Sequence, residues 1–160
     1  VNVMALTLGF CLCNKHPLND CKALGLAALL HDVGKTKIDQ SIVRANRKLT
    51  DDEFAEIKKH PTMGYDILRE CDFTQNVVFQ GAHEHHEKLN GSGYPRGIRD
   101  VSAAGQIIGI VDSYEAITND DRPYRSAMDP IKALALIKDE VEAGRIDRGL
   151  FERFARSLVA

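Results

Sequence analysis

The chain contains no tryptophan, and its aromatic residues make up only 6% of 160 residues. Aliphatic side chains must therefore fill the interior of the folded protein. No apolar run approaches the roughly 18 residues of a membrane-spanning helix, so we expect no membrane insertion. The formal charge of only −2 gives no overall attraction to nucleic acid polymers or anionic lipids. An anionic ligand would have to be bound locally, by metal ions or by a few placed cations.

Cysteine is also scarce, and no two of the four residues have the Cys-x-x-Cys spacing of a cysteine-rich zinc site. Buried thiols in a reducing compartment are the simpler interpretation. The start of the chain lacks the basic region of a signal peptide, and we expect a cytoplasmic protein. Residues 1–6 read like the interior of a helix, so we also expect a chain that is truncated at its amino terminus relative to the native protein.

The rest of the pattern is helical. Alternation of β-branched residues is sparse, and 160 residues fit one domain with a real core. We therefore predict an all-α fold, a single-domain helical bundle. The predicted helices cover about 1–14, 20–33, a short stretch from 51, 61–71, 74–87, 101–118, 130–142 and 147–158, with a loop at 90–100.

Capping residues and prolines set several of these boundaries. Asn19-Asp20 offers an N-cap for the second helix, and Gly34 offers a C-cap after its end. Because the residue before a proline avoids the helical region, His60 is predicted to lie at a bend before a helix that starts at Pro61.

The most informative stretch runs from His83 to Pro95. It places adjacent imidazoles and carboxylates directly before a loop with two glycines and a proline. Histidine is the commonest metal ligand among side chains, and glycine lets a backbone come close to a ligand. The pattern indicates a site that holds an ion and admits a charged substrate.

Six side chains at predicted helix ends or on small-residue faces combine four imidazoles with two carboxylates. They are His31, Asp32, His60, His85, His86 and Asp112. This mixture suits iron, manganese or zinc. It is too large for one tetrahedral zinc and sufficient for two ions, with Asp32 as the candidate bridge, which could stabilise both oxygens of an in-line displacement. The alternative is that His31 and Asp32 form a structural pair within the core.

Three cations are candidates for contacts with phosphate. Lys35 follows the His-Asp pair and could neutralise a phosphate oxygen as charge builds, although lysines near a helix end are commonly just solvated. Arg122 and Arg125 have the forked geometry that matches phosphate, although loop arginines are also usually solvated.

Taken together, these motifs resemble the HD-GYP family of phosphodiesterases, a branch of the HD phosphohydrolases. The resemblance covers about residues 20–128. It rests on Leu-Leu-His-Asp-Val-Gly-Lys at 29–35, His-Pro-Thr-Met-Gly at 60–64, His-His-Glu at 85–87, Gly-Ser-Gly-Tyr-Pro at 91–95, and Asp-Ser-Tyr-Glu-Ala at 112–116 before Arg-Pro-Tyr at 122–124. The resemblance implies a helical bundle of the HD phosphohydrolase type. It also implies a metal-dependent hydrolase that converts cyclic di-GMP to pGpG, GMP or both.

The resemblance also implies roles for individual residues. Family members hold two or sometimes three ions, commonly iron or manganese, and the six side chains named above would be their ligands. Asp32 and Lys35 would be catalytic, with Lys35 near the scissile phosphate. Substrate contacts would come from the loop and from two arginines, namely Gly93, Tyr94, Pro95, Arg122 and Arg125.

Two departures from the family pattern leave alternatives open. The family usually places a further ligand histidine upstream of the His-Asp motif, and nothing on residues 1–14 supplies one. In a longer chain it would fall just before Val1. Residues 118–122 are one longer than the usual pattern, which makes the placement of Arg122 less secure.

The chain is therefore either an active phosphodiesterase or a catalytically impaired module. Such a module would bind the dinucleotide, or a signalling partner through the Gly-Tyr-Pro loop, where Tyr94 is expected to be exposed. An HD hydrolase for another nucleotide is a third alternative, against which the loop argues. The family usually attaches a regulatory domain before this one, and we expect one in the native chain.

Overall fold

A computed structural model of the chain describes residues 1–71, 73–119 and 128–159. These residues form nine α-helices and one 3-10 helix, and no β-strand occurs among them, which confirms the all-α prediction. The α-helices are α1 (Asn2–Cys13), α2 (Leu18–Leu30), α3 (Gln40–Val43), α4 (Asp51–Ile57), α5 (His60–Glu70), α6 (Asn76–Glu84), α7 (Ala103–Thr118), α8 (Pro130–Glu142) and α9 (Arg148–Ser157). The 3-10 helix (Val33–Lys37) follows α2. Within the ranges given, no helix is long and apolar enough to cross a bilayer.

The core is mainly aliphatic, as the shortage of aromatic residues requires. α2 packs against α1 and α6, and α7 packs against α6, α1 and α8. Ile108 and Val111 of α7 are fully buried in one cluster with Ala27 of α2 and Val78 of α6. Small residues bring these helices close, since a Cβ on Gly81 would lie only 2.6 Å from Cδ1 of Ile108. Burial of this kind is worth about 1.5–3 kcal/mol for each large aliphatic side chain.

The second helix begins earlier than the sequence predicts. It starts at Leu18, with Pro17 as its N-cap, and not after a cap at Asn19-Asp20. Proline is well suited to a helix start because the N–H that it lacks would have no helical partner there.

The second helix also ends earlier, at Leu30, so the prediction that it reaches about residue 33 was wrong. The chain turns there into the 3-10 helix, which packs against α5. Gly34, predicted as a C-cap, lies inside this 3-10 helix, and a Cβ at this position would overlap the carbonyl oxygen of His60. The absence of a side chain lets the two backbones touch, and this contact brings the His-Asp motif to the start of α5.

Two other boundaries differ where the candidate ligands lie. His60 is the first residue of α5 and not part of a bend before it, and Pro61 sits in the first turn, where its missing N–H costs nothing. α6 ends at Glu84, so the predicted extension to 87 was too long, and His85 and His86 follow the helix directly.

Glycines of α7 explain why the chain turns after α6. A Cβ on Gly105 would lie 2.6 Å from Cβ of Glu84, and one on Gly109 would overlap the carbonyl oxygen of His85. The end of α6 can therefore lie directly on α7. Asp112, about one turn further along α7, faces the same region, as the predicted small-residue face indicates.

Candidate metal centre

Three histidines from separate segments hold their rings in the same manner. In each of them Nδ1 lies within hydrogen-bond distance of a carbonyl oxygen three or four residues earlier. The pairs are His31 with Ala28 (2.7 Å), His60 with Ile57 (2.7 Å) and His85 with Gly81 (2.9 Å). Because a carbonyl oxygen only accepts, Nδ1 carries the proton and donates it. A neutral ring then keeps its lone pair on Nε2, as in histidines that bind metal through that atom.

The Nε2 atoms of these rings converge. Nε2 of His60 lies 3.2 Å from Nε2 of His85 and 3.3 Å from Oδ1 of Asp32. When both rings are neutral with Nδ1 protonated, neither Nε2 has a hydrogen to donate, so two lone pairs face each other. A cation between the two nitrogens would replace this repulsion by coordination.

Two carboxylates complete the centre. Oδ2 of Asp32 lies 3.3 Å from Nε2 of His31, and Oδ1 of Asp32 lies 3.9 Å from Nε2 of His85. Asp112 approaches from α7, with Oδ1 3.6 Å from Nε2 of His31. Nε2 of His31 and Oδ1 of Asp32 are buried and have no hydrogen-bond partner. Buried polar atoms need a partner, and a divalent cation would serve both.

The donors form two overlapping groups. His60, His85 and His86 make up one group, and His31, Asp32 and His85 make up the other; the donor atoms of each group lie within 4.8 Å of one another. His85 belongs to both groups. Imidazole nitrogen and carboxylate oxygen are donors that divalent transition metals favour. The residues present therefore fit divalent metal ions.

One side of the centre carries strong opposite charges. Burial alone would lower the pKa of His31, but the carboxylates of Asp112 and Asp32 outweigh it and raise this pKa to about 10. Burial alone would raise the pKa of Asp32, yet the close approach of the His31 and His60 rings, each 3.3 Å away, and the charge of Lys35 hold it well below its usual range. A proton on His31 thus occupies the place between carboxylates that a metal ion would take.

The other side of the centre is neutral. Burial lowers the pKa of His86 to about 3, and burial also holds the pKa of His85 well below its usual range. Both rings are therefore unprotonated at neutral pH. They need lose no proton before they bind a metal ion.

An open cavity of about 510 Å³ gives access to the centre. Its lining includes five of the six predicted ligands, all except His85, together with Lys35 and Tyr94. Nζ of Lys35 lies 2.6 Å from Oδ2 of Asp32. The predicted phosphate-binding lysine is thus paired with a carboxylate of the centre and lies at the wall of the cavity.

The Gly-Tyr-Pro loop forms part of the same wall. The ring of Tyr94 stacks on the ring of His86, with centroids 4.6 Å apart and planes 26° apart. The expectation that Tyr94 is exposed was wrong, because this stacking leaves it half-buried. Gly93 lies against the turn that carries the histidines, where a Cβ would come 2.5 Å from Cα of Glu87. Pro95 lines a second groove, next to Tyr94. The two predicted arginines, Arg122 and Arg125, lie outside the described residues.

Sequence reasoning gave no role to two carboxylates that hold this loop. Glu87 is buried and accepts hydrogen bonds from the backbone N–H groups of Arg96 and Ile98. Glu84 accepts from the Arg96 guanidinium and from the backbone N–H of Ser102. The sequence offers only a weak signal for this role, namely two glutamates three residues apart shortly before a glycine-rich loop.

Comparisons with known proteins agree with this geometry. A family model described as HD domain matches residues 2–150. A 3'3'-cGAMP-specific phosphodiesterase from Vibrio cholerae is 37% identical over 138 residues, which is 85% of this chain. A cyclic di-GMP phosphodiesterase from Pseudomonas aeruginosa is 33% identical over 136 residues, which is 84% of this chain. The chain spans 32% of the length of each of these two relatives.

A solved structure shares the fold. An HDG"Y"P protein from Bdellovibrio bacteriovorus matches with a TM-score of 0.75 at 20% identity, covering 100% of this chain and 51% of that one. The likeness agrees with the predicted HD-type helical bundle. With the family match over nearly the whole chain and the motifs in their expected order, the chain belongs to the HD domain family and, within it, to the HD-GYP branch.

Proposed function

We propose that this domain hydrolyses a phosphodiester bond of cyclic di-GMP and releases pGpG, GMP or both. The observation that carries the proposal is the convergence of imidazole nitrogens and carboxylates at the wall of an open cavity, with two of these atoms buried and unpartnered. The names of the relatives from Vibrio cholerae and Pseudomonas aeruginosa support a cyclic dinucleotide as the substrate.

Six side chains would hold two divalent ions, and iron or manganese fits their donor atoms. They are His31, Asp32, His60, His85, His86 and Asp112. When bound, such ions supply Lewis-acid stabilisation of phosphate charge and make water a better nucleophile near neutral pH. Asp32 has one oxygen toward His31 and the other toward His60, so it would be the carboxylate that helps to hold both ions.

Lys35 and Tyr94 would bind the substrate beside the ions. The ammonium group of Lys35 is partly exposed at the cavity wall, where it can bind an oxygen of the scissile phosphate as negative charge develops. Burial, with the charges of Asp112 and Asp32, raises the pKa of the Tyr94 phenol above its ordinary value. Its hydroxyl therefore stays protonated and can donate a hydrogen bond to the dinucleotide. We assign Gly93 and Pro95 to the shape of this wall.

Arg122 and Arg125 would bind the phosphate groups that lie further from the ions. Their forked guanidinium groups suit this contact. The assignment rests on their place in the sequence motif alone.

A second substrate deserves a direct comparison, since two relatives from Vibrio cholerae carry the name 3'3'-cGAMP-specific phosphodiesterase. Cyclic di-GMP and 3'3'-cGAMP differ in one base, so the same metal centre would serve either. Rates measured side by side on both dinucleotides would assign the preference. A higher kcat/KM for 3'3'-cGAMP would replace cyclic di-GMP in our proposal and leave the reaction unchanged.

The test is hydrolysis of cyclic di-GMP with manganese or iron(II) added without oxygen, followed by chromatography of the products. We expect turnover that needs the metal and is lost in His31→Ala. His83→Ala is the matched control, because the ring of His83 lies against that of Tyr65, with centroids 4.7 Å apart, and belongs to neither donor group. Turnover that persists unchanged in His31→Ala would remove this mechanism.

The same experiment separates the enzyme from the binding module. Protein that binds cyclic di-GMP tightly, retains no metal and shows no turnover would favour the module or a docking role for the Gly-Tyr-Pro loop. Stoichiometric metal in the purified protein, measured by elemental analysis, would favour the enzyme.

A further inference from the structure

Glu87 is a buried carboxylate that makes its contacts with the loop and not with the donor groups. Only 6% of the residue is exposed. Oε1 accepts a hydrogen bond of 2.7 Å from the backbone N–H of Arg96, and Oε2 accepts one of 3.1 Å from the backbone N–H of Ile98. The residue that follows His86 therefore ties the far end of the loop back to the histidines.

This use of a charged group is costly and specific. A buried carboxylate without hydrogen bonds is strongly unfavourable, and hydrogen bonds to a charged acceptor are roughly twice as strong as neutral ones. Both oxygens of Glu87 are taken up by N–H groups of one short segment. The segment is thus fixed at two points by a single side chain.

The position of the loop decides where Tyr94 stands. The backbone N–H of Tyr94 donates to the carbonyl oxygen of His86 at 3.2 Å, and the two rings stack. Arg96 is only two residues further along, so a shift at the Glu87 contact would displace the tyrosine ring. Glu84 supports the same segment from α6, since one of its oxygens lies 2.9 Å from the Arg96 guanidinium.

We infer that Glu87 is a positioning residue that fixes the Gly-Tyr-Pro loop on the histidine turn and thereby sets the ring of Tyr94 at the cavity wall for substrate. The inference rests on the proposed function for its effect on the dinucleotide. Its structural part, the tie between Glu87 and the loop, is independent of that function.

The first experiment measures the tie itself. Glu87→Gln keeps the size of the side chain but replaces one accepting oxygen by an NH2 group, which cannot accept from the loop. We expect amide hydrogen exchange to become about tenfold faster at whichever of Arg96 and Ile98 faces the NH2 group. Glu152→Gln, at an exposed position on α9, is the matched control. Backbone bonds such as Gly91 N–H to the Lys88 carbonyl remain in the variant, so it should fold.

The second experiment asks whether the effect reaches the substrate through Tyr94. We expect Glu87→Gln to raise KM for cyclic di-GMP about tenfold with kcat changed by less than about twofold. Manganese stoichiometry should be unchanged. In a Tyr94→Ala background the same substitution should raise KM no further, because residues that act through one another are not additive.

Each result decides the inference. Unchanged exchange at Arg96 and Ile98 would overturn it. Loss of manganese binding in Glu87→Gln would also overturn it, because it would show a general role in folding the centre. A full effect of Glu87→Gln on KM in the Tyr94→Ala background would overturn it as well. Absence of hydrolysis in the wild type would count against the proposed function alone. In that case a dissociation constant would replace KM in the comparison of Glu87→Gln with and without Tyr94→Ala. It would be that of cyclic di-GMP, or that of pGpG bound to manganese-loaded protein.

Discussion

The two donor groups of the metal centre share His85 yet differ in charge. The group with His60 and His86 consists of imidazoles alone, whereas the group with His31 contains the carboxylate of Asp32 and faces a second one from α7. Burial acts on histidines in both groups, but its effect on the pKa is reversed at His31, where the carboxylates of both Asp32 and Asp112 lie within 3.6 Å of Nε2. A histidine is therefore neutral and able to bind a metal ion directly in the imidazole group, whereas His31 in the other group holds a proton at neutral pH.

This difference shows that burial and charge must be weighed together at a metal site. In the imidazole group, burial lowers the pKa of His86 to about 3. In the carboxylate group, Asp112 and Asp32 reverse that effect and raise the pKa of His31 to about 10. Carboxylates attract a proton for the same reason that they attract a cation, so the two compete for one place.

Removal of the histidine that both donor groups include should have the largest effect. Nε2 of His85 has one lone pair and can bind one ion, so we expect His85→Ala to lose one of the two ions and kcat to fall at least about a hundredfold, since even outer partners of metal ligands are worth 10–100-fold. Elemental analysis and hydrolysis of cyclic di-GMP would measure the two effects. The neighbouring variant His83→Ala should keep its metal. Retention of both ions in His85→Ala would show that His85 is not a ligand.

Removal of one carboxylate should lower the metal affinity of one donor group more than that of the other. Asp32→Asn keeps the shape of the side chain but removes the charge, so we expect the metal affinity of the His31 group to fall about tenfold to a hundredfold. The imidazole group keeps its three nitrogen donors, so its ion should be weakened less, although Asp32 also lies 3.3 Å from His60. Titration with manganese followed by calorimetry would show one tight site in place of two. Asp66→Asn, at an exposed position on α5, should bind as the wild type does, and equal weakening of both sites in Asp32→Asn would refute the comparison.

A change of pH by one unit should give the smallest and most selective effect. The pKa of His31 is about 10, so below that pH a metal ion must displace the proton of His31. The metal affinity of that group should therefore rise by up to about tenfold per pH unit. Affinity at the imidazole group should stay flat above neutral pH, because His86 carries no proton there. Calorimetry in buffers of different ionisation enthalpy would count the protons released. Equal proton release at both sites would contradict the prediction.

The metal-free protein should respond to pH in the opposite sense. The raised pKa of His31 stabilises the fold fully below its ordinary value of 6.5, and this stabilisation is lost as the pH rises toward about 10. Thermal unfolding with a chelator present should therefore show a loss of stability over that range. Asp32→Asn should reduce it, because one of the two carboxylates that hold the proton is gone.

The side chains that cluster at the cavity could be predicted because their chemistry is local. Histidines and aspartates at helix ends are visible in the sequence, and the fold brings the predicted ones together. The end of α2 could not be predicted, because it depends on contact between Gly34 and the backbone of His60, which is distant in sequence. The apolar pattern of the sequence continues past Leu30 and contains no information about such a contact.

The burial of Tyr94 and the role of Glu87 were hidden for a related reason. A glycine-rich loop predicts exposure, but Gly93 allows this loop to fold back onto the histidine turn, where Tyr94 meets His86. A glutamate next to two imidazoles suggests the metal, whereas its oxygens face two amides of the loop. Only the path of the backbone after residue 90 shows whether Glu87 faces a metal ion or the amides of the loop.

The bonds from Nδ1 of His31, His60 and His85 to carbonyl oxygens have a consequence for how the protein acquires its ions. Each imidazole is held in rotation by its own preceding turn, which also keeps a proton on Nδ1, without any help from a bound cation. Little side-chain entropy is then left to lose during loading. Metal binding should therefore need little rearrangement of the side chains, and the metal-free and metal-loaded proteins should have the same structure.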